Sequence, residues 1–231
     1  MDELHISDEN AIIESVKVLQ SSHPVVMFQL PTVFVLLAPP TKLGVESLNR
    51  TKNRIEGKNY GTAIGDLGQF YAMALERSLP PELDSQESLE LLTGAFIKIT
   101  IGRSGYNTSV SRKGTHQGVL LGSPHRDVFC GIEEGIAALA EPELFNGNKF
   151  TAPLCTSANI SGDPLGSITD WKRAYMFGAE RNVPLVIRSE SAQGTLGSYP
   201  IFRLTHDKIC IDRNGPGEIE IKKMLPQHLF T

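Results

Sequence analysis

Pro153-Leu154-Cys155-Thr156-Ser157-Ala158-Asn159-Ile160-Ser161-Gly162 opens as a short apolar run and closes in small hydroxyl and amide side chains before a glycine. An apolar run of this length predicts a buried strand over residues 152–156, and the Ser/Asn/Gly tail predicts a turn at its carboxyl end. In open α/β sheets, ligands bind at the carboxyl ends of strands. Ser157 and Asn159 lie two apart, so in an extended segment they point the same way. They offer neutral donors and acceptors suited to a phosphate or a ribose. The competing reading is a turn that only caps a strand.

Outward from this stretch, helix and strand patterns alternate. Ile12, Ile13, Val16 and Leu19 recur at helical spacing over 9–20, after Ser7 and Asp8 as capping candidates. Residues 25–30 and 33–37 read as buried strands, and 44–52 as a short helix or turn. Asp66 is placed to cap a helix that buries Leu67, Phe70, Ala74 and Leu75. A further helix over 85–92 stops at Gly94. Residues 95–102 alternate, with Ile97, Ile99 and Ile101 on one side and Phe96, Lys98 and Thr100 on the other, the pattern of a half-buried strand. A polar loop over 102–114 leads to a short strand over 118–121. Ser123 and Pro124 then start a helix carrying Val128, Ile132, Ile136 and Leu139. A helix over 169–177, a strand over 183–187, a hairpin of 200–205 with 207–212 and a helix over 218–225 complete the pattern. No repeat or linker divides it, so residues 1–231 are expected to form one α/β domain around a mixed sheet.

Twenty-two basic against 26 acidic side chains give a net charge of −4, which argues against bulk electrostatic binding of nucleic acid and leaves room for a local basic patch. With 40% hydrophobic residues spread evenly along 231 positions, intrinsic disorder is excluded and a sizeable core can be buried. Cys130, Cys155 and Cys210 form no CxxC pair and read as free thiols. The acidic amino terminus has no signal-like apolar stretch, and Gln29, Pro31 and Pro39 interrupt the most apolar region, so a cytoplasmic protein is expected.

A second chemical feature is Arg50-Thr51-Lys52-Asn53-Arg54-Ile55-Glu56-Gly57-Lys58, four cations against one acid in nine residues. At a helix end running into a turn at Gly57, Lys52, Arg54 and Lys58 can converge on one anion, with arginine as a fork and lysine as a point charge. A solvated basic turn is the alternative. The familiar phosphate loop, dinucleotide fingerprint, nucleophile elbow and HExxH motif are absent. His116 and His125 stand in no metal-ligand spacing. Tyr106 and Tyr199 are loop aromatics that either stack on a base or pack on their own strands.

Together the two features resemble the YrdC family of threonylcarbamoyl-adenylate synthases. Lys52-x-Arg54-x-x-x-Lys58 matches that family's first block, and Thr156 to Gly162 matches its T-S-A-N-[IL]-S-G block at every position. Leu92-Thr-Gly94-Ala-Phe-Ile-Lys-Ile looks like its W-P-G-P-L-T-L-I-L strand entry. The resemblance runs over about residues 9–217. It implies a YrdC/RibB-like domain, a twisted mixed β-sheet flanked by helices, with a large concave positive cavity.

The same resemblance implies a reaction of L-threonine, bicarbonate and ATP that gives threonylcarbamoyl-AMP and pyrophosphate for tRNA modification. Magnesium would accompany the triphosphate. Lys52 and Arg54 would hold phosphates, and Lys58 a phosphate or the amino-acid carboxylate. Ser157, Asn159 and Ser198 would bind phosphate or ribose, Arg213 would close the site, and Thr32 would contact substrate. No protein nucleophile and no metal ligand is assigned. Double-stranded RNA is a further partner that the family implies.

The sequence departs from the family at P-T-[DE]-T-V-Y-G-L, of which only Pro31-Thr32 remains before Val33-Phe34-Val35-Leu36. The arginine of V-R-x-P is replaced by Leu120 or displaced to Arg126. The phosphate half of the pocket is therefore expected to be kept, and the threonine half altered. Two other readings stay open: a non-catalytic module binding nucleotide or RNA, and a carbamoyl-transfer enzyme with a different acceptor.

Overall fold

Runs rich in Val, Leu, Ile and Phe, broken by Pro, Gly and Asn, dictate short buried strands between amphipathic helices. The computed structural model of the protein describes residues 1–55 and 58–230, so the turn expected at Gly57 lies outside the described residues. In chain order the elements are β1 (Asp2–His5), α1 (Ala11–Leu19), β2 (Val26–Gln29), β3 (Phe34–Ala38), α2 (Lys42–Lys52), β4 (Gly61–Ile64), α3 (Leu67–Ala72), α4 (Gln86–Leu89), β5 (Ala95–Thr100), β6 (Thr115–Leu120), α5 (His125–Ile136), β7 (Leu154–Ser157), α6 (Trp171–Glu180), β8 (Leu185–Arg188), β9 (Ile201–Leu204), β10 (Ile209–Arg213) and α7 (Glu218–Met224), with short 3₁₀ turns between some of them.

The ten strands form one mixed sheet in the order β1-β8-β2-β3-β7-β4-β6-β5-β9-β10. β2–β3, β3–β7, β4–β7, β5–β6 and β9–β10 are antiparallel, whereas β1–β8, β2–β8, β4–β6 and β5–β9 are parallel. Each face carries its own apolar core, as a central sheet of this kind requires. On one face Met27, Phe34, Leu36, Ile97 and Ile99 pack with Leu48 of α2, Phe70 of α3 and Phe177 of α6. On the other, Phe28, Val35, Leu37, Phe96 and Val119 pack with Ala11 and Leu19 of α1 and with Phe129, Ile132 and Ile136 of α5. No helix among the described residues is long and apolar enough to cross a membrane.

Several local expectations are corrected. Asn10 takes the N-cap position of α1 and makes no side-chain cap bond, while the Asp8 carboxylate accepts from the Asn10 N–H at 2.8 Å. Asp66 does cap α3 by accepting from the Gln69 N–H, but the helix ends at Ala72 and leaves Leu75 half exposed. Pro124, not Ser123, occupies the N-cap position of α5, and the Ser123 hydroxyl donates to Asp127 Oδ1 at 2.9 Å. β6 begins at Thr115, earlier than the pattern predicts, because backbone pairing with β5 extends to Thr100↔Thr115. β1 was not anticipated.

Candidate functional site

Strand alternation builds the site. In the β3–β7 register Val35 lies opposite Ser157 and Leu37 opposite Cys155, and Cys155 pairs in turn with Gly61 of β4. Across β5–β6, Lys98 faces Gln117. Period two therefore puts Val33, Val35, Cys155, Ser157, Gly61, Gln117, Phe96 and Lys98 on one sheet face. It is the face that α1 and α5 cover elsewhere. Here those side chains line a cavity of about 390 Å³. Gly61 makes the floor possible. A Cβ there would stand 2.9 Å from Phe96 Cε1 and 3.0 Å from the Gln117 carbonyl oxygen.

Five cations line the cavity: Arg54, Lys58, Lys98, Arg112 and Arg213. No Asp or Glu does so among the described residues. Arg54 donates from Nη2 to the Asn59 carbonyl at 2.6 Å and from Nη1 to Thr156 Oγ1 at 3.3 Å, and its guanidinium lies 4.3 Å from the Tyr60 ring centre. Its Nε is buried and has no hydrogen-bond partner among the described residues. Arg213 donates twice to the Tyr199 carbonyl, from Nε at 3.0 Å and Nη2 at 2.6 Å, and stands over the Phe96 ring. Burial pulls both guanidinium groups below the ordinary arginine range. Asp212, behind the wall, accepts from Lys98 at 2.8 Å and from Arg203 at 3.0 Å. Clustered charges of one sign at a concave surface raise the local concentration of counter-ions.

The two sequence blocks meet, across about a hundred residues. Lys52, however, is only 2% exposed and does not line the cavity. Its ammonium donates to the Ser157 carbonyl, to the Asn159 carbonyl at 2.8 Å and to Asn159 Oδ1 at 3.2 Å. Asn159 Oδ1 also accepts from the Ser157 hydroxyl at 2.6 Å. Lys52 and Asn159 thus hold the turn from behind, while Thr156 and Ser157 face the cavity. This differs from the expected role of Lys52 and Asn159 as direct phosphate ligands. Burial, with Arg54 and Lys58 nearby, brings the Lys52 ammonium down to about 7.

Lys58, Ser198 and Arg213 line the cavity, and the Ser198 hydroxyl shares a 2.7 Å hydrogen bond with Ser167. Thr32 does not. Its hydroxyl donates to the Gly197 carbonyl at 2.7 Å, and it lines a neighbouring groove of about 950 Å³ with His125 and Gly215, which meets the cavity at Tyr199. Of the apolar segment after Thr32, Val33 and Val35 form the cavity wall, whereas Phe34 and Leu36 belong to the opposite core. Leu120 is core, and Arg126 pairs with Glu90 at 2.6 Å on another surface, so neither supplies a cavity arginine.

Sequence reasoning missed Lys98, Arg112 and Tyr60 as lining residues. Lys98 carried a signal, because it stands on the polar side of an alternating strand. His116 is a core residue: its ring contacts Phe145 edge-on, its nitrogens bond Thr62 Oγ1 at 3.0 Å and the Val110 carbonyl at 2.8 Å, and burial holds it at about 4 and neutral. Cys155 reaches the floor, but burial pushes its thiol up to about 12, out of nucleophilic range. Tyr106 packs at home, its hydroxyl donating to the Glu143 carbonyl at 2.6 Å.

A ten-stranded mixed sheet with a cavity lined by five cations and, among the described residues, by no carboxylate defines the class: an α/β protein with a cationic cavity on one sheet face. The chain has the YrdC/Sua5 fold. E. coli YciO superposes with a TM-score of 0.65 over 95% of this chain and 96% of that one, at 15% identity. P. abyssi Sua5 complexed with L-threonine superposes with a TM-score of 0.69 over 100% of this chain and 62% of that one, also at 15% identity. HypF in its phosphate- and nucleotide-bound form gives 0.58 over 87% and 28%, at 15%. The chain thus spans less than two thirds of Sua5 and under a third of HypF. No family model and no curated protein matches it in sequence.

Proposed function

We propose that the cavity binds the polyphosphate of ATP and that the protein is a nucleotidyltransferase of the threonylcarbamoyl-adenylate synthase kind. The observation that carries this reading is the meeting of the two sequence blocks, through Arg54–Thr156 and Lys52–Ser157–Asn159, at a cavity with five cations and no carboxylate among the described residues. On this reading the amino-acid amine displaces water from bicarbonate to give a carbamate, whose oxygen attacks the α-phosphorus of ATP. The α–β phosphoanhydride bond breaks and pyrophosphate leaves. Such a reaction needs positioning and charge neutralisation, not a protein nucleophile. Arg54, Lys58 and Arg213 supply the charge, while Thr156, Ser157 and Ser198 supply neutral hydrogen bonds. Among the described residues no group of three or more His, Cys, Asp or Glu is placed to hold a metal ion. Magnesium would accompany the triphosphate of ATP, whose leaving group is pyrophosphate.

One observation favours a different acceptor, or a binding module without turnover: Val33 forms an apolar wall with Val35 at the position where the resemblance places an acid, while Phe34 and Leu36, which stand where it places a Thr and a Tyr, lie in the opposite core. Such a wall cannot return the hydrogen bonds of threonine's hydroxyl and ammonium. Each unpaired group costs on the order of 1–3 kcal/mol. Two would weaken threonine binding by roughly 30- to 10⁴-fold on that scale. The test is pyrophosphate release from ATP and bicarbonate, with and without millimolar threonine. The expected result is nucleotide binding with slow or absent threonine-dependent release. Brisk threonine-dependent release would restore the plain synthase, and absence of ATP binding would remove the nucleotide reading altogether.

A further inference from the structure

We propose that the cavity takes an amino acid with a short branched aliphatic side chain, of valine's shape, and that the facing pair Val35 and Ser157 selects it. The inference rests on the nucleotidyltransferase reading only for the expectation that an amino acid enters at all. Three observations carry it. First, Val35 of β3, Cys155 of β7 and, across Gly61 of β4, the Phe96 ring share the sheet face that floors the cavity, with Val33 beside them. Phe96 is 8% exposed and Val35 2%, so the apolar patch is small and suits a short side chain, not an aromatic ring. Second, Val35 stands opposite Ser157 in the β3–β7 register. Side chains so paired have Cβ atoms about 4.5–5.5 Å apart, so one small molecule lying over the pair meets both. The Ser157 hydroxyl gives its proton to Asn159 Oδ1 at 2.6 Å and therefore turns oxygen lone pairs to the cavity, an acceptor for an amine. Third, the lining cations suit a carboxylate, and Arg213 brings one to this patch, 5.5 Å from the Phe96 ring centre.

An α-amino acid carries the three matching groups on one carbon: a carboxylate for the cation, an amine for the Ser157 oxygen and a side chain for Val35. Valine and threonine share a shape and differ by a methyl against a hydroxyl. Against Val35 the methyl is buried at no polar cost. The hydroxyl leaves water and finds no hydrogen bond there. The carboxylate and the amine are common to both ligands, so whatever they gain or lack cancels in the comparison. A hydrophobic pocket separates isosteres that differ by a hydroxyl by up to roughly a hundredfold. Valine is therefore expected to bind roughly ten- to a hundredfold more tightly than threonine.

The test is calorimetric titration of the full chain with L-valine and with L-threonine, each with and without MgATP, at one pH and one salt concentration. The wild type is expected to prefer valine by the factor above. Val35→Thr keeps the side-chain shape and presents a hydroxyl to the same spot, and is expected to bring the two affinities several-fold closer together. Threonine binding as tightly as valine, or no valine binding with or without MgATP, overturns the proposal. So does a folded Val35→Thr protein that keeps the wild-type ratio. If Val35→Thr does not fold, the wild-type ratio decides alone. A titration with MgATP by itself separates this inference from the reading it rests on. MgATP binding without a preference for valine ends the inference and leaves the nucleotide reading standing. A preference for valine without MgATP binding upholds the inference and ends the nucleotide reading. Binding of neither ends both.

Discussion

Replacing Arg54 by alanine removes a cavity cation that the surrounding fold holds in place. Its guanidinium is fixed by the Asn59 carbonyl, by Thr156 Oγ1 and by the Tyr60 face, so it meets a ligand already oriented. A charge-assisted hydrogen bond is worth about 1.5–3 kcal/mol. At 1.4 kcal/mol per factor of ten, Arg54→Ala should weaken ATP binding roughly ten- to a hundredfold. Arg54→Lys keeps the charge and loses the fork, and should fall between the two. The assay is isothermal titration at one fixed salt concentration, since part of the contact is screened by ions. Thermal unfolding of each variant separates lost binding from lost folding. A folded Arg54→Ala protein with an unchanged dissociation constant would refute the placement of phosphate in this cavity.

Two further predictions concern the frame of the site. Gly61→Ala places a Cβ against Phe96 and the Gln117 carbonyl, which is backbone and cannot swing aside; the overpacking cost of about 1–3 kcal/mol should lower the melting temperature by roughly 2–12 °C, and an unchanged melting temperature would mean that the cavity floor is looser than described. Glu133 of α5 accepts from the Gly65 and Asp66 N–H groups at 2.7 and 2.9 Å, yet burial raises its carboxyl to about 7. A raised folded-state value gives stability that is fully present below about pH 4.5 and lost as pH rises through about 7. Melting curves across that window should therefore fall less steeply with rising pH for Glu133→Gln than for the wild type, and parallel curves would contradict the assigned environment.

What could be read from the sequence, and what could not, divides along physical lines. Side-chain periodicity exposed most of the sheet: the alternation of Phe96, Lys98 and Thr100 against Ile97, Ile99 and Ile101 is the observed division of β5 between its two faces. β1 escaped because Asp2-Glu3-Leu4-His5 is a mostly exposed edge strand held by backbone pairing to β8, which no apolar pattern records. The convergence of the blocks around Lys52 and Ser157 was legible only through their joint match to the family pattern; by residue type alone the basic run reads equally as a solvated turn. The role of Lys52 was not, since a lysine that grips a phosphate and one that braces a turn look alike in sequence; only its burial and its three oxygen partners separate them. In the same way, strand parity sends Val33 and Val35 to the cavity and Phe34 and Leu36 to the opposite core, although all four belong to one apolar run. Arg112 approaches from a loop, where spacing carries no directional information.

The central proposal is that this cavity is a polyphosphate site whose wall carries Val33 where the family resemblance places an acid. Separate calorimetric titrations of the wild-type protein with MgATP and with L-threonine test it most directly. The account predicts saturable ATP binding that weakens with added salt, together with threonine binding that is far weaker or undetectable. Firm threonine binding without ATP binding would contradict it.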